Sequence, residues 1–446
     1  MENLIQKEKQ AKLNRKVCFA SCVYFIMISG IIFPVRFFVE HNLDTIISFL
    51  LCFIIILICK DKIIQWPSAN NKIIFALVLY GSMVIFSGIY FGVLGYISYG
   101  FFYISIPVIL LLIVYDKEQV LVLIKAACIG LSIAFLLMII VSVLLCPLGV
   151  EQYQSFKGNP NALGSIAAIG VNTSIYLRIK LKSHFKYLFL FTEGIGIGLI
   201  VFSRSRTALL IVIVSYIVLS SYYIINKKVN KRFIINVIKF IVIIFISNVI
   251  IYTCLTSLNN SIGLKNNSDV KDSFEKYFVV DFDTNDSNVT FEQILLMSSQ
   301  RNLKGIADDN SFSSGRIMIW KTFYNNLNLF PGHKYSNLEV NHIKGYNAHN
   351  GFLQIAYSFG IITGIIYIGI ILYIIYRCIK VFLFSRRERR MSIETCFSLI
   401  ITGGFFIESM LSADVSPFSY LYVLLLNLCV IPNVCNKLIY KKEQNV

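Results

Sequence analysis

The chain has 446 residues, of which 56% are hydrophobic and 14% aromatic, and its formal net charge is +17. This composition is too apolar for a water-soluble protein and predicts a polypeptide that crosses a membrane many times. Continuous apolar stretches of about 20 residues suit helical spans, whereas a β-barrel has short alternating segments. We expect the first apolar stretch to be a retained span, because its charged N-terminal flank and the lack of a small-residue cleavage site are not typical of a signal peptide.

The sequence predicts an all-α polytopic membrane protein with about 12 transmembrane helices and one large loop. Residues 1–257 hold the first nine spans, 258–349 form the loop, and 350–446 hold the last three. In chain order, the predicted spans are 17–39, 42–59, 73–92, 96–115, 119–146, 160–178, 185–203, 207–225, 233–257, 350–376, 395–413 and 417–435.

Basic residues in the short loops fall on alternate sides of successive spans, which marks the cytoplasmic side. Both termini are therefore expected in the cytoplasm and the large loop outside it. Residues 258–348 contain nine Lys and Arg against ten Asp and Glu, so the positive charge lies in the rest of the chain. We interpret that charge as a signal of membrane topology rather than of nucleic-acid binding.

The large loop begins with a stretch rich in Asn, Asp and Ser and ends with a predicted amphipathic helix near 314–327. Ser313 or Ser314 can cap this helix. Its expected apolar stripe comprises Ile317, Trp320, Tyr324 and Leu327. None of the chain's eleven cysteines lies between 258 and 348, so no disulfide is expected there, and no Cys and His spacing resembles a zinc site.

His349 is the first candidate for chemistry, because it stands at the outer end of the tenth span, just before Asn350. A helix N-terminus carries a partial positive charge that helps to keep an imidazole neutral, so the ring could accept a proton near pH 7. The alternative is structural, with His349 and Asn350 merely capping the end of an interfacial helix.

Arginines supply the second group of candidates. Arg204 and Arg206 lie in the stretch FSRSRTALL at a junction between spans, and Arg316 lies in SSGRIMIWKTF at the start of the loop helix. Guanidinium groups suit bidentate contact with phosphate. The alternatives are snorkelling to lipid headgroups for the first two and simple solvation for Arg316.

These residues are all expected on the same outer face, where they could offer phosphate contacts and a base. Glu193 and Glu408 lie inside apolar spans, and we expect them to pair with each other or with a buried cation such as Lys125. Asp414 could orient His349 or an acceptor hydroxyl. The residues predicted to contact pyrophosphate or glycan are Arg204, Asn350, Lys157, Asn159, Trp320 and Asp414.

The stretch AHNGFLQIAYSFGIITG closely resembles the signature helix of the O-antigen ligase and O-antigen polymerase superfamily. SRSRTALL and SSGRIMIW are similar to the two arginine motifs of that family, and GNPNALGSIAA is similar to the start of one of its middle spans. The resemblance covers residues 155 to 376. One departure is that Ser358 or Phe359 stands where the family often has a Glu.

The resemblance implies a C-type glycosyltransferase architecture that uses neither a metal nor another cofactor. It assigns the essential arginines to Arg206 and Arg316 and makes His349 the catalytic base. It also implies partners: donor and acceptor glycans on undecaprenyl pyrophosphate, membrane lipids, and chain-length regulator and flippase proteins of a bacterial cytoplasmic membrane.

Polymerases and ligases share these motifs. We favour a polymerase that transfers a growing glycan to a lipid-linked repeat unit, because a chain rich in Ile, Lys, Asn and Phe is common in capsule and exopolysaccharide clusters of AT-rich bacteria. A ligase that transfers finished glycan to lipid A core or another acceptor is the alternative. A lipid-linked oligosaccharide flippase is the alternative from another class.

Overall fold

The structure is a computed structural model of the chain. It describes residues 2–33, 36–37, 43–59, 71–113, 117–146, 153, 155–156, 159–181, 185–226, 231–258, 276, 316–340 and 343–412.

Helices dominate the described residues. In chain order they are α1 Glu2–Ile32, α2 Leu43–Cys59, α3 Asn71–Phe91, α4 Leu94–Ile113, α5 Lys117–Leu145, α6 Pro160–Lys180, α7 Phe185–Ser203, α8 Arg206–Ile225, α9 Lys231–Thr253, α10 Arg316–Asn325, α11 Gly351–Phe359, α12 Ile361–Arg387 and α13 Ile393–Leu411. A π-helical turn, Cys254–Leu258, extends α9. Strands β1 Leu338–Val340 and β2 Ile343–Tyr346 form a small antiparallel ribbon.

Within the described part of the chain, eight helices are long and apolar enough to cross a membrane. These are α3 to α8, α12 and α13, and shorter apolar segments lie in α2 and α9. The prediction of an all-α polytopic membrane protein is therefore confirmed. The predicted span 417–435 lies outside the described residues.

The chain forms two compact units, and each unit combines segments that are distant in the sequence. The first comprises Met1–Leu51 and Ile124–Leu303, and the second comprises Cys52–Leu123 and Lys304–Val446. Helices α2 and α5 each contribute to both units. The second unit thus combines helices from the N-terminal part of the chain with the C-terminal part of the large loop.

In the first unit, small residues bring the helices close together. Helix α7 contains the alternating sequence Gly194, Gly196 and Gly198. A methyl group added at Gly194 would lie 2.5 Å from the Ser247 side chain in α9, and one added at Gly196 would lie 2.6 Å from Val171 in α6. Such close approach is typical of helix interfaces inside membranes, where dispersion contacts replace the hydrophobic driving force.

In the second unit, α3 and α4 form an antiparallel pair, and α12 packs against α3 and α13. The ring of Tyr80 in α3 meets that of Tyr103 edge-on, with centres 4.9 Å apart, and tilts against Tyr367 of α12. These contacts fix the position of α12, against which α11, the helix that follows His349, is packed.

The predicted span 350–376 is wrong in one respect, because the helix is interrupted at Gly360. This residue has φ +94 and ψ 156, a conformation that only glycine adopts readily. The carbonyl groups of Asn328 and Leu329 accept hydrogen bonds from the N–H groups of Ile361 and Ile362, at 2.9 and 3.3 Å. The first N–H groups of α12 are thereby satisfied from outside the helix, which then continues to Arg387.

The predicted apolar stripe of the loop helix, which could lie on the membrane surface or pack over the helices, faces the protein only in part. Ile317 and Tyr324 are 55% and 69% exposed, whereas Phe323 is fully buried. Ile319 and Leu327, spaced four residues to either side of Phe323, pack with it. The buried face of α10 is therefore rotated relative to the predicted one.

Candidate functional site

Residues 316–340, which we call the arm, carry two of the candidate residues and lie entirely in the second unit. The arm joins α11 through a buried cluster of Phe323, Ala348 and Tyr357. The rings of Phe323 and Tyr357 meet edge-on with centres 4.8 Å apart. A T-shaped aromatic pair adds about 0.5–1.5 kcal/mol to the free energy of burial. The cluster therefore fixes α10 beside the segment that ends in His349.

A second contact anchors the middle of the arm. The ring of His333 stacks on that of Tyr357, with centres 4.0 Å apart and planes 7° apart. Its Nε2 accepts from the Asn328 amide at 3.1 Å, which leaves Nδ1 to donate to the Tyr357 carbonyl at 2.9 Å. The Ser87 hydroxyl of α3 donates to the Pro331 carbonyl at 2.8 Å. The arm is thus bound to α11 and to α3.

Arg316 is the first residue of α10, and Trp320 follows one turn later on the same face. Both side chains are half-buried. The indole Nε1 of Trp320 is buried, and no described residue accepts a hydrogen bond from it. A buried N–H without an acceptor costs about 1–3 kcal/mol, so this face of α10 offers a donor for an oxygen atom.

His349 lies in a sharp turn before α11 and has φ +45, in the left-handed region. Its backbone N–H donates to the Asn347 side chain at 3.2 Å. Asn350 caps α11, since its Oδ1 accepts from the Leu353 N–H at 3.0 Å. Its Nδ2 donates to the Met410 carbonyl of α13 at 3.1 Å. These contacts give Asn350 a capping role, and its contact with substrate stays a prediction.

The environment of His349 favours a neutral ring. Its pKa lies below the ordinary value of 6.5, first because partial burial disfavours the charged form and second because of the positive charge of Arg316. The sequence attributed this effect to the helix N-terminus, whereas burial is the largest cause. A neutral imidazole beside a guanidinium can take a proton while the arginine holds an anion.

Sequence reasoning missed Gln354, whose side chain is 1% exposed. Its Oε1 accepts from the Ala348 N–H at 2.8 Å, and its Nε2 donates to the Ser336 carbonyl and to the Ser358 hydroxyl. The available signal was an amide within the apolar run that follows Asn350. A buried amide in such a run requires partners for all of its polar atoms.

Arg204 and Arg206 lie in the first unit, at the turn that joins α7 to α8. Arg204 has φ +52, and burial lowers its pKa. Ser205 is 2% exposed and caps α8 by accepting from the Ala208 N–H at 3.4 Å, so Arg206 becomes the first residue of α8. The sequence predicted this helix start to within one residue.

Helix α6 packs directly against this turn. Asn159 caps α6, accepting from the N–H groups of Asn161 and Ala162 at 2.9 and 3.4 Å. In the second turn of α6, Gly164 lies so close to Ser205 that a methyl group added there would be 2.4 Å from the Ser205 Cβ. The N-terminal part of α6 is therefore in contact with the turn that carries the two arginines.

Glu193 forms an ion pair with Arg178 on the adjacent helix α6, and Lys125 is not the partner that the sequence suggested. The Arg178 Nε lies 2.6 Å from Oε1 of Glu193, and the Tyr216 hydroxyl donates to Oε2 at 3.2 Å. Glu193 is fully buried, and a buried charge needs such partners. This pair links α6, α7 and α8.

Lys157, Asp414 and the proposed caps Ser313 and Ser314 lie outside the described residues. Among the residues that the structure does describe, no group of three His, Cys, Asp or Glu side chains could hold a metal ion.

Residues 193–368 match the model of the O-antigen ligase family, Wzy_C. The matched segment contains Arg204, Arg206, Arg316, Trp320 and His349, and it confirms the resemblance to the O-antigen ligase and polymerase superfamily. Neither the comparison with curated proteins nor that with solved structures gave a match.

Proposed function

From the match of residues 193–368 to the O-antigen ligase family, we propose that this membrane protein is a glycosyltransferase of the polysaccharide polymerase type. It transfers a growing glycan from undecaprenyl pyrophosphate to a lipid-linked repeat unit on the outer face of the cytoplasmic membrane. The observation that carries the proposal is this match, because the matched segment contains both Arg316 and His349. Burial and the charge of Arg316 favour a neutral His349 imidazole, which suits a base.

The reaction follows from the chemistry of this pair. A hydroxyl oxygen of the acceptor forms a bond to the anomeric carbon of the donor glycan, and the bond from that carbon to the pyrophosphate oxygen breaks. His349 takes the hydroxyl proton. Arg316 stabilises the negative charge that develops on the departing pyrophosphate. Polyprenyl pyrophosphate leaves with the electron pair of the broken bond.

We assign phosphate binding also to Arg206, whose guanidinium projects from the first turn of α8. Helix N-termini favour anions, and the Ser205 cap fixes the position of the backbone at this point. Arg204 and Asn159 are assigned supporting contacts with the glycan or its pyrophosphate. Lys157 and Asp414 have the same proposed role, which rests on the sequence alone.

Trp320 is proposed to contact the donor through its indole N–H. The lack of an acceptor among the described residues supports this role, because a phosphate or hydroxyl oxygen would satisfy the buried donor. Its position one turn after Arg316 keeps this contact close to the departing pyrophosphate.

The lipid-linked glycans of cells that lack the gene distinguish the candidate functions. Single repeat units on the carrier, in place of long chains, support the polymerase. Long chains that accumulate on the carrier indicate a ligase. Repeat units trapped on the cytoplasmic face indicate a flippase, which the family match disfavours.

The proposed location also has a test. Reporter tags after Val446 and within residues 265–290 should report opposite sides of the membrane, because basic short loops stay in the cytoplasm. A cytoplasmic signal from the second tag would contradict a reaction at the outer face.

A further inference from the structure

The amide of Gln354 joins three segments of the second unit, two of which lead to residues of the proposed chemistry, His349 and Arg316. It binds the residue before His349, the arm that begins with Arg316, and the end of α11. The Oε1 contact with the Ala348 N–H is 2.8 Å, and the Nε2 contact with the Ser358 hydroxyl is 3.3 Å. The third contact is to the Ser336 carbonyl of the arm. With 1% of its surface exposed, the side chain has no competing water.

The Ala348 N–H depends on this amide. Ala348 is fully buried in the cluster with Phe323 and Tyr357, so its N–H cannot turn to solvent. Without an acceptor, such a buried donor costs about 1–3 kcal/mol. Since His349 directly follows in a left-handed conformation, any shift of Ala348 that relieves the cost would displace the imidazole.

The rest of the second unit would keep its place after such a shift. Helix α10 is held by Phe323 against Tyr357, and the middle of the arm by His333 and Pro331. The arm that carries Arg316 therefore keeps these anchors when the Gln354 contacts are lost, whereas the segment before His349 loses the acceptor of its Ala348 N–H.

We propose that Gln354 is a positioning residue that holds His349 in register with Arg316. This inference rests on the proposed function and assigns Gln354 no contact with substrate. Its Oε1 contact with the Ala348 N–H is the decisive one, because this contact acts directly on the residue that precedes the base.

The test compares purified variants on lipid-linked repeat units extracted from cells that lack the gene. Gln354→Met keeps the length of the side chain but removes every hydrogen bond. We expect kcat to fall about 100-fold, the loss that a misplacement of about 1 Å can cause. Binding of undecaprenyl pyrophosphate, measured directly, should change less than threefold.

Gln354→Glu retains an oxygen that can accept from Ala348 and should lose only about tenfold in kcat. It also serves as the second variant if Gln354→Met does not fold. Thr402→Val is the matched control: it removes a buried hydroxyl of α13 that donates to Ser398 and lies 3.2 Å from the sulfur of Cys378. This control should lower thermal stability and leave kcat per folded molecule unchanged.

Equal kcat values for folded Gln354→Met and Gln354→Glu would overturn the proposal, as would a weaker binding of undecaprenyl pyrophosphate that accounts for the loss. If only Gln354→Glu folds, parent kcat in that variant overturns it. His349→Gln separates this failure from that of the proposed function. Parent turnover in His349→Gln would show that His349 is not the base. An inactive His349→Gln together with a fully active Gln354→Met would overturn only the positioning role of Gln354.

Discussion

One added methyl group in α6 should disturb the turn that carries the first two arginines. In Gly164→Ala the new carbon would lie 2.4 Å from Cβ and 2.7 Å from Oγ of Ser205. Carbon atoms in contact stay about 3.5–4.0 Å apart. The turn must therefore move by about 1 Å, and Ser205 takes Arg206 with it because it caps the helix that Arg206 begins.

The expected losses in stability and activity differ in size. Overpacking a close contact lowers the free energy of unfolding by about 1–3 kcal/mol. Replacing glycine by alanine inside a helix raises it by up to about 1 kcal/mol. Most of the protein should therefore remain folded. A displacement of about 1 Å in a catalytic group can lower the rate about 100-fold, so turnover should fall far more than the amount of folded protein.

Both quantities can be measured on the same preparations. Folded protein is quantified by size-exclusion fluorescence of a tagged chain, and turnover by extension of extracted lipid-linked repeat units. Gly369→Ala is the matched control, because a methyl group there has no atom within 4 Å. Parent-level turnover in Gly164→Ala, together with loss of turnover in Arg206→Lys, would refute the reasoning.

The remaining predictions concern the charged and titratable candidates. Arg206→Lys and Arg316→Lys should nearly abolish polymer formation at unchanged protein levels in membranes, because an ammonium group cannot replace the bidentate contact of a guanidinium. Arg204→Lys should have a milder effect. Full activity of both Arg206→Lys and Arg316→Lys would show that these arginines are only surface charges. His349→Gln should lose about 100-fold to 10,000-fold in turnover, measured on purified enzyme, because an amide takes no proton at neutral pH; near-parent turnover would make His349 a structural cap. In Arg316→Gln, the pKa of His349 should rise, because a positive charge that lowers it is gone. The acid limb of the residual pH–rate profile should then move to higher pH. An acid limb that does not move would contradict an effect of Arg316 on His349.

The sequence predicted the bounds of helices α6 to α8 to within two residues, because the length of an apolar run is set by the thickness of the membrane. Helix α1, in contrast, runs from Glu2 to Ile32, whereas the predicted span was 17–39. Helix α7 was predicted at 185–203 and has these bounds, and α8 begins one residue before its predicted start. The arginine turn was also predictable, since polar residues between two apolar runs leave few other positions for the chain to reverse.

The interruption at Gly360 could not be read from hydropathy. Residues 350–376 form one apolar run, and the break depends on carbonyl groups of Asn328 and Leu329, which are about thirty residues away in sequence. The buried face of α10 depends in the same way on Tyr357, which selects Phe323 rather than Tyr324. Tertiary partners decided both outcomes, and helical periodicity alone did not identify them.

The hydrogen bonds at the interrupted helix limit how the proposed lipid-linked substrate could approach Arg316. If the arm lifted away, the N–H groups of Ile361 and Ile362 and the carbonyl of Ser358 would lose their partners. Each buried polar group left without a partner costs about 1–3 kcal/mol, and Ser358 is fully buried, so water would not replace the bond to its carbonyl. The arm is therefore expected to stay docked on α11 and α12, so the proposed substrate would approach Arg316 from a side that the arm leaves open.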